Sequence, residues 1–265
     1  MGLITGALKR VLPVPARRWL RARARQLTRS LRPPGGVHFG NLRRVTPISR
    51  NFGYDRGTPI DRYYIERFLG AHAADVRGRV LEIAESVYTR RFGGERVSQS
   101  EVLHVVPGNP EATVVGDLTG CLPLPPDSFD CIICTQTLPV IYRVGAALST
   151  LYRLLRPGGV LLLTVPGVAH QISRPDMDLW GDYWRFTSLS VRRLLEEVFP
   201  PAHVQVHAEG NVLAAVAFLH GIAVEELLSR ELDYRDPDYE LSILARADKP
   251  AAGTLPPGNG SVPAP

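Results

Sequence analysis

Apolar and polar positions alternate in two rhythms along the chain. Residues 79–84 (Arg-Val-Leu-Glu-Ile-Ala) open a first apolar run, and Glu101 to Val106 and the short Ala112 to Val115 follow it. Phe129 to Cys134 and Val160 to Val165 are more continuously apolar, as expected of strands buried on both faces. His203 to Ala208 and Tyr239 to Ala247 complete seven predicted strands. Between them lie helical patterns. Thr58-Pro59-Ile60-Asp61 predicts a helix start with Thr58 as cap and a helix to about Ala71. Residues 144–155 place Leu148, Leu151, Tyr152 and Leu155 on one face and end at Arg156-Pro157-Gly158-Gly159. Thr187 or Ser188 predicts the cap of a helix through Phe199, and Val212 to Arg230 reads as a last helix. Strands alternating with helices predict a doubly wound α/β domain with a mostly parallel sheet.

Charge divides the 265 residues unevenly. Residues 1–50 carry twelve Lys/Arg and no acid, whereas the other 215 hold nineteen basic and twenty-six acidic groups, a net of −7. Within the basic arm, residues 16–32 predict an amphipathic helix. Leu20, Ala24, Leu27 and Leu31 form one stripe, Arg17, Arg21, Arg25, Arg29 and Arg32 another, and Trp19 sits at the border. That pattern suits an anionic membrane surface, packing on the domain or a partner, and, with less support, nucleic acid. Pro33-Pro34-Gly35-Gly36 ends the arm. The expected organisation is a basic arm over 1–36, a domain over 37–247 and a disordered tail over 248–265.

The three cysteines, Cys121, Cys131 and Cys134, give no disulfide framework and suit a reducing cytoplasm. Cys131 and Cys134 form C-x-x-C inside a predicted strand, where positions i and i+3 point to opposite faces, so they read as core and no metal site is expected. No run approaches the ~20 apolar residues of a membrane span, and the start lacks a secretory pattern. A cytoplasmic protein, in peripheral contact with the inner face of the membrane through its arm, is the expectation.

In an open α/β sheet, ligands bind beyond the carboxyl ends of the strands. The motifs there are Val80-Leu81-Glu82-Ile83 before a turn, Gly116-Asp117-Leu118, Leu122-Pro123-Leu124-Pro125-Pro126-Asp127-Ser128-Phe129-Asp130, and Leu151-Tyr152-Arg153-Leu154-Leu155-Arg156-Pro157-Gly158-Gly159. Over roughly residues 78–168, their order and spacing resemble the class I S-adenosylmethionine-dependent methyltransferases. The resemblance implies a Rossmann-like methyltransferase fold with a seven-stranded sheet, S-adenosylmethionine as cofactor and transfer of a methyl group. It places Glu82 near the methionine end of the cofactor, the turn Ala84-Glu85-Ser86 against it, Asp117 with Leu118 at the adenine, and Thr135 and Gln136 along the pocket. Two departures stand out. Where the family has E-x-G-x-G-x-G, this chain has Ala84, Ser86 and Tyr88, and Tyr88 adds bulk where a ligand would lie. No carboxylate follows the second strand to hold the ribose, leaving Glu85 or Asn109 to substitute.

The loop-like stretch after the fifth strand supplies acceptor candidates. His170 is a candidate base and Asp182 a group to orient it or the acceptor. Tyr183, Trp184 and Arg185 are candidate substrate contacts, their aromatic faces suiting a sugar or phenol. Residues 51–64 form a second polar, aromatic block. In related enzymes such a segment folds over the cofactor, and Arg56, Asp61 and Tyr64 are the candidates to do so. The functional expectation is O- or N-methylation of a small molecule or glycan. A non-catalytic interaction module and a nucleic-acid methyltransferase are the alternatives.

Overall fold

The computed structural model describes residues 40–251 apart from Val168, together with Arg23. The predicted helix over 16–32 and the tail beyond Ala251 therefore lie, Arg23 excepted, outside the described residues. The chain divides into two compact units, Met1–Val45 and Thr46–Pro265. The described part of the first includes a single 3₁₀ turn at Gly40–Leu42.

The second unit holds seven strands: β1 (Gly78–Ile83), β2 (Val97–His104), β3 (Val114–Val115), β4 (Phe129–Thr135), β5 (Leu155–Pro166), β6 (Val204–Glu209) and β7 (Ser242–Asp248). They form one sheet in the order β3-β2-β1-β4-β5-β7-β6. β1 to β5 pair in parallel, and β7 runs antiparallel to both β5 and β6. The order reverses direction between β1 and β4, which opens the crevice where such sheets bind ligands.

Among the described residues of this unit, six α-helices accompany the sheet: α1 (Ile60–Ala71), α2 (Val144–Leu154), α3 (Arg174–Leu179), α4 (Ser188–Glu196), α5 (Val212–Leu219) and α6 (Ser229–Asp233). Leu148, Leu151 and Leu154 of α2 are fully buried against Leu81, Ile132 and Leu161. Each such side chain contributes about 1.5–3 kcal/mol relative to exposure. On the other face Ile65, Phe68 and Leu69 of α1 cover Val80, Cys131 and Ile133. Cys131 and Cys134 fall in different clusters, on the opposite faces that strand alternation dictates. Burial in apolar surroundings raises both thiols, Cys134 to about 12.

Several boundaries depart from the sequence expectation. Pro59, not Thr58, precedes α1; Thr58 is used otherwise, its amide and hydroxyl both donating to Glu225 (2.9 and 2.7 Å). β5 begins at Leu155, so Arg156-Pro157-Gly158-Gly159 is a bulge within the strand: Phe129 pairs with Leu155 but Cys131 with Val160. The helix expected from Val212 to Arg230 stops at Leu219. Gly221 takes φ +66°, and a Cβ there would sit 2.5 Å from the Ser49 carbonyl oxygen, so the chain turns where residue 49 crosses it. The helix expected from residue 187 to 199 begins as anticipated, with Thr187 and Ser190 forming a capping box. Residues 248 and 249, expected in the tail, are instead held by the domain: β7 runs through Asp248, and Lys249 pairs with Asp127 (2.6 Å) and donates to Leu155 O (2.8 Å).

Candidate functional site

The turn after β1 has Ala84, Ser86 and Tyr88 where the resemblance expects glycine, and its geometry is specific. Ala84 takes φ +74°, the left-handed conformation the family's glycine would supply at no cost. An alanine is held there from outside. Its amide donates to Leu103 O of β2 (2.9 Å), and its carbonyl accepts from Asn109 Nδ2 (2.6 Å). Asn109 Oδ1 in turn accepts from the Glu111 amide (2.9 Å), and Glu111 Oε2 accepts from Ser86 N (3.2 Å) and Ser86 Oγ (2.7 Å). Glu82 is buried and accepts from the Tyr88 and Thr89 amides (3.1 and 2.7 Å). Burial pushes its carboxyl up, with those amides pulling against it. Side chains thus brace a bend that lacks glycine.

Tyr88 does not occupy the crevice. It is buried among Ile65, Phe68, Leu69 and Val80 beneath α1. Its hydroxyl accepts from Arg62 Nη1 (2.8 Å), while Arg62 Nε donates to Tyr54 (3.2 Å). Burial opposes the Arg62 charge, but Asp61 and the two tyrosines outweigh it and hold that guanidinium above its usual pKa.

The crevice is a cleft of about 780 Å³ whose lining includes Ala84, Glu85, Asp117, Leu118, Thr135 and Gln136. These six of the eight expected cofactor residues come together; Glu82 and Ser86 lie behind the loop instead. The volume falls within the ~300–1,000 Å³ range of ligand pockets. His104 and Val105 stand at the end of β2, where the family has its ribose acid, and both line the cleft. Asn109 is committed to Ala84, whereas the exposed Glu85 has no hydrogen bond or ion pair among the described residues. Asp117 accepts from the Thr119 amide and hydroxyl (2.7 and 2.9 Å), forming a turn that aims this segment at the cleft. Tyr183 lines the rim. Trp184, beside it, donates Nε1 to Ile141 O (3.2 Å) and stacks on the exposed Tyr142.

A second cavity of about 200 Å³ adjoins the cleft and shares Arg62, Gln136, Val140 and Asp176 with it. His170, Asp182 and Arg185 all line it. Asp182 is gripped by Arg185 (2.5 and 2.9 Å) and by the Ser173 amide (2.9 Å). Burial raises that carboxyl, but these bonds outweigh it and hold it below the carboxylate range. Asp182 therefore does not orient His170. The Gln171 carbonyl does, 2.7 Å from Nδ1. A carbonyl only accepts, so Nδ1 carries the proton and the neutral ring leaves Nε2 as an acceptor. Burial, with Phe52 and Phe218 rings 5.3 and 5.2 Å away, lowers the imidazole pKa below 6.5.

Two residues of this cavity, both expected beside the cofactor, have unused hydrogen-bonding capacity that the sequence did not reveal. Asp61 is 6% exposed and its Oδ1 has no hydrogen-bond partner. Burial raises its pKa, opposed by Arg62 and His170. Gln136 takes φ +52°, and both its amide atoms are buried and unpartnered. Of the expected lid residues, Arg56 instead pairs with Glu226 and Tyr64 donates to Leu232 O (3.0 Å).

Comparison with known proteins agrees with this geometry. A family model described as "Methyltransferase domain" matches residues 71–163. No curated protein sequence matches the chain. Solved structures similar to it include a SAM-dependent methyltransferase from Archaeoglobus fulgidus (16% identity, 71% of this chain, 90% of that one, TM-score 0.45). Another is the S-adenosylmethionine-dependent methyltransferase from Mesorhizobium loti (17%, 74% and 100%, 0.47). A third is an N-methyltransferase from Haemonchus contortus holding S-adenosylhomocysteine (16%, 80% and 56%, 0.48). With identities of 16–17% and TM-scores below 0.5, these likenesses assign nothing further to this chain. Over residues 71–163 the chain is similar to a methyltransferase domain, and that segment carries the β1-to-β5 part of the sheet order described above.

Proposed function

We propose that the protein moves a methyl group from S-adenosylmethionine to an oxygen or nitrogen of a small molecule or glycan, with the donor in the larger cleft and the acceptor in the smaller cavity. The observation that carries this reading is the shared wall. Arg62, Gln136, Val140 and Asp176 line both spaces, so ligands filling them would meet there. Bound S-adenosylmethionine supplies an electrophilic methyl on a sulfonium centre, which leaves as the thioether.

The chain's residues position, exclude water and move one proton. Asp117 and Leu118 would hold the adenine, the Ala84–Glu85 turn and Glu82 behind it the amino-acid end, and Glu85 the ribose hydroxyls. Thr135 and Gln136 would line the middle of the cleft. Arg185 would contact the acceptor from the wall of the smaller cavity, whereas Tyr183 lines the larger cleft and Trp184 lines neither space. His170 Nε2, held neutral by burial and aimed by Gln171, would take the proton of the acceptor hydroxyl as its oxygen bonds the methyl carbon and the carbon–sulfur bond breaks. Incubation with S-adenosylmethionine and candidate hydroxylated or amino acceptors tests the reading. The expected result is stoichiometric S-adenosylhomocysteine and an acceptor heavier by one methylene. Cofactor binding without transfer to any acceptor would favour the interaction module.

The basic helix expected over 16–32 would hold the protein on anionic membrane, at the cytoplasmic face, near a lipid-linked acceptor. Vesicle flotation of the full chain against one lacking residues 1–36 tests this, and equal recovery of the two rejects it. No helix among the described residues is long and apolar enough to cross a membrane.

A further inference from the structure

The smaller cavity specifies its ligand through the hydrogen bonds it leaves unmade. Buried polar groups are paired in folded proteins, and an unpaired one costs about 1–3 kcal/mol. Three side chains converge on this space with unused capacity. Asp61 Oδ1 is buried and unpartnered, Gln136 has a free carbonyl and a free amide, and His170 Nε2 accepts from no protein group among the described residues. Three acceptors against one amide donor call for a ligand that presents several protons.

Charge narrows the choice further. Arg62 and Arg185 line the same space, so an ammonium group would meet two guanidinium ions. Asp61, Asp176 and Asp182 line it too, so a carboxylate or phosphate would meet three acids. A neutral polyol meets neither penalty. The cavity, at about 200 Å³, has room for a single ring, and Phe52 and Tyr54 offer aromatic surface for its C–H faces. Backbone strain marks the same place. Phe52 and Gln136 take φ +55° and +52°, conformations that cost side-chain-bearing residues of order 1–3 kcal/mol and gather at ligand clamps.

We infer that this cavity is a subsite for one neutral, polyhydroxylated ring of a sugar, in which Asp61 and Gln136 grip neighbouring hydroxyls and so present a further hydroxyl to His170. The inference rests on the methyltransferase reading and names its acceptor. Asp61 and Gln136 are then specificity-determining residues, and the Asp61 carboxylate is the group that distinguishes a diol from an isolated hydroxyl.

Saturation-transfer-difference NMR on the full chain, with and without S-adenosylhomocysteine, tests the inference. The probes are the methyl α-D-glycosides of glucose, mannose and galactose, with 2-methoxytetrahydropyran as a ring lacking hydroxyls. The expected result is saturation of at least one glycoside and none of the control. Binding should weaken at least tenfold in Asp61→Asn and in Gln136→Met, while Asp61→Asn keeps its S-adenosylhomocysteine affinity by calorimetry. Donor binding without saturation of any glycoside overturns the inference and leaves the methyltransferase reading standing. A glycoside bound equally by wild type and both variants also overturns it. Glycoside saturation in a chain that binds no donor would keep the sugar subsite and remove the methyltransferase reading.

Discussion

The two cavities share a wall but treat their polar groups in opposite ways. Around the larger cleft, the groups that shape the backbone are spent on one another: Glu82 on the Tyr88 and Thr89 amides, Asn109 on Ala84, Glu111 on Ser86, Asp117 on Thr119. In the smaller cavity Asp61, Gln136 and His170 Nε2 keep their capacity. The difference separates two ways of making a site. The first is built by fixing a loop so that backbone and a few side chains form a berth. The second is built by leaving buried groups unmet until a ligand arrives. A chain without glycine in this loop needs the first device more than most, because alanine must be held at a φ that glycine adopts freely.

The largest effect should fall on the acceptor side alone. His170→Ala is expected to lower the transfer rate about 100- to 10,000-fold, the range for a lost general base, with S-adenosylhomocysteine affinity unchanged. Rate and affinity falling together would mean that the two spaces are one site and the contrast is wrong. Next in size, Glu111→Ala should leave Ser86 unbraced and lower the midpoint of denaturant unfolding. Cofactor affinity should drop with it and sugar affinity should not.

A smaller effect belongs to pH. Burial disfavours the imidazolium of His170, so rate should be lost only as pH falls below 6.5. The groups facing the ring are Asp61 and Asp182, which favour the charged form, and Arg185, which opposes it. Removing a carboxylate therefore lowers the imidazole pKa further, and in Asp61→Asn the acid limb should move to lower pH. A shift upward, seen in a pH–rate profile, would contradict the electrostatic coupling. Smallest of all, Ala84→Gly should relieve the left-handed strain of roughly 1–2 kcal/mol while adding roughly 0.5–1 kcal/mol of chain entropy. A slight net gain in stability with unaltered affinity is expected from thermal unfolding, and a loss would mean that the methyl group packs usefully.

The contrast also explains how far the sequence could be read. Strands with continuous apolar runs, such as Val160–Val165, and the helix over 144–155 were legible because burial dictates their periodicity. The larger cleft was legible through motif spacing, since Ala84, Glu85, Asp117, Leu118, Thr135 and Gln136 line it. The early end of α5 was not legible, because it depends on Ser49 crossing Gly221, a contact more than 170 residues away in sequence. Asp182 was read as a group to orient His170 or the acceptor, and the structure shows its carboxylate held by Arg185, three residues on, in a two-nitrogen grip. Asp61 was legible as a helix-start acid and as a candidate to fold over the cofactor, but nothing local says that the first turn of α1 faces His170. Glu111 left a faint signal in Asn109-Pro110-Glu111, an Asx-type turn after a strand. Its target at Ser86 is a tertiary fact.

Isothermal titration of S-adenosylhomocysteine into the full chain tests the central claim most directly: the bend at Ala84, braced by Asn109 and Glu111, still forms a donor berth. One site of about micromolar affinity, weakened in Asp117→Ala and in Glu111→Ala, is the predicted result. No heat of binding at millimolar ligand would contradict the account and leave only the architecture.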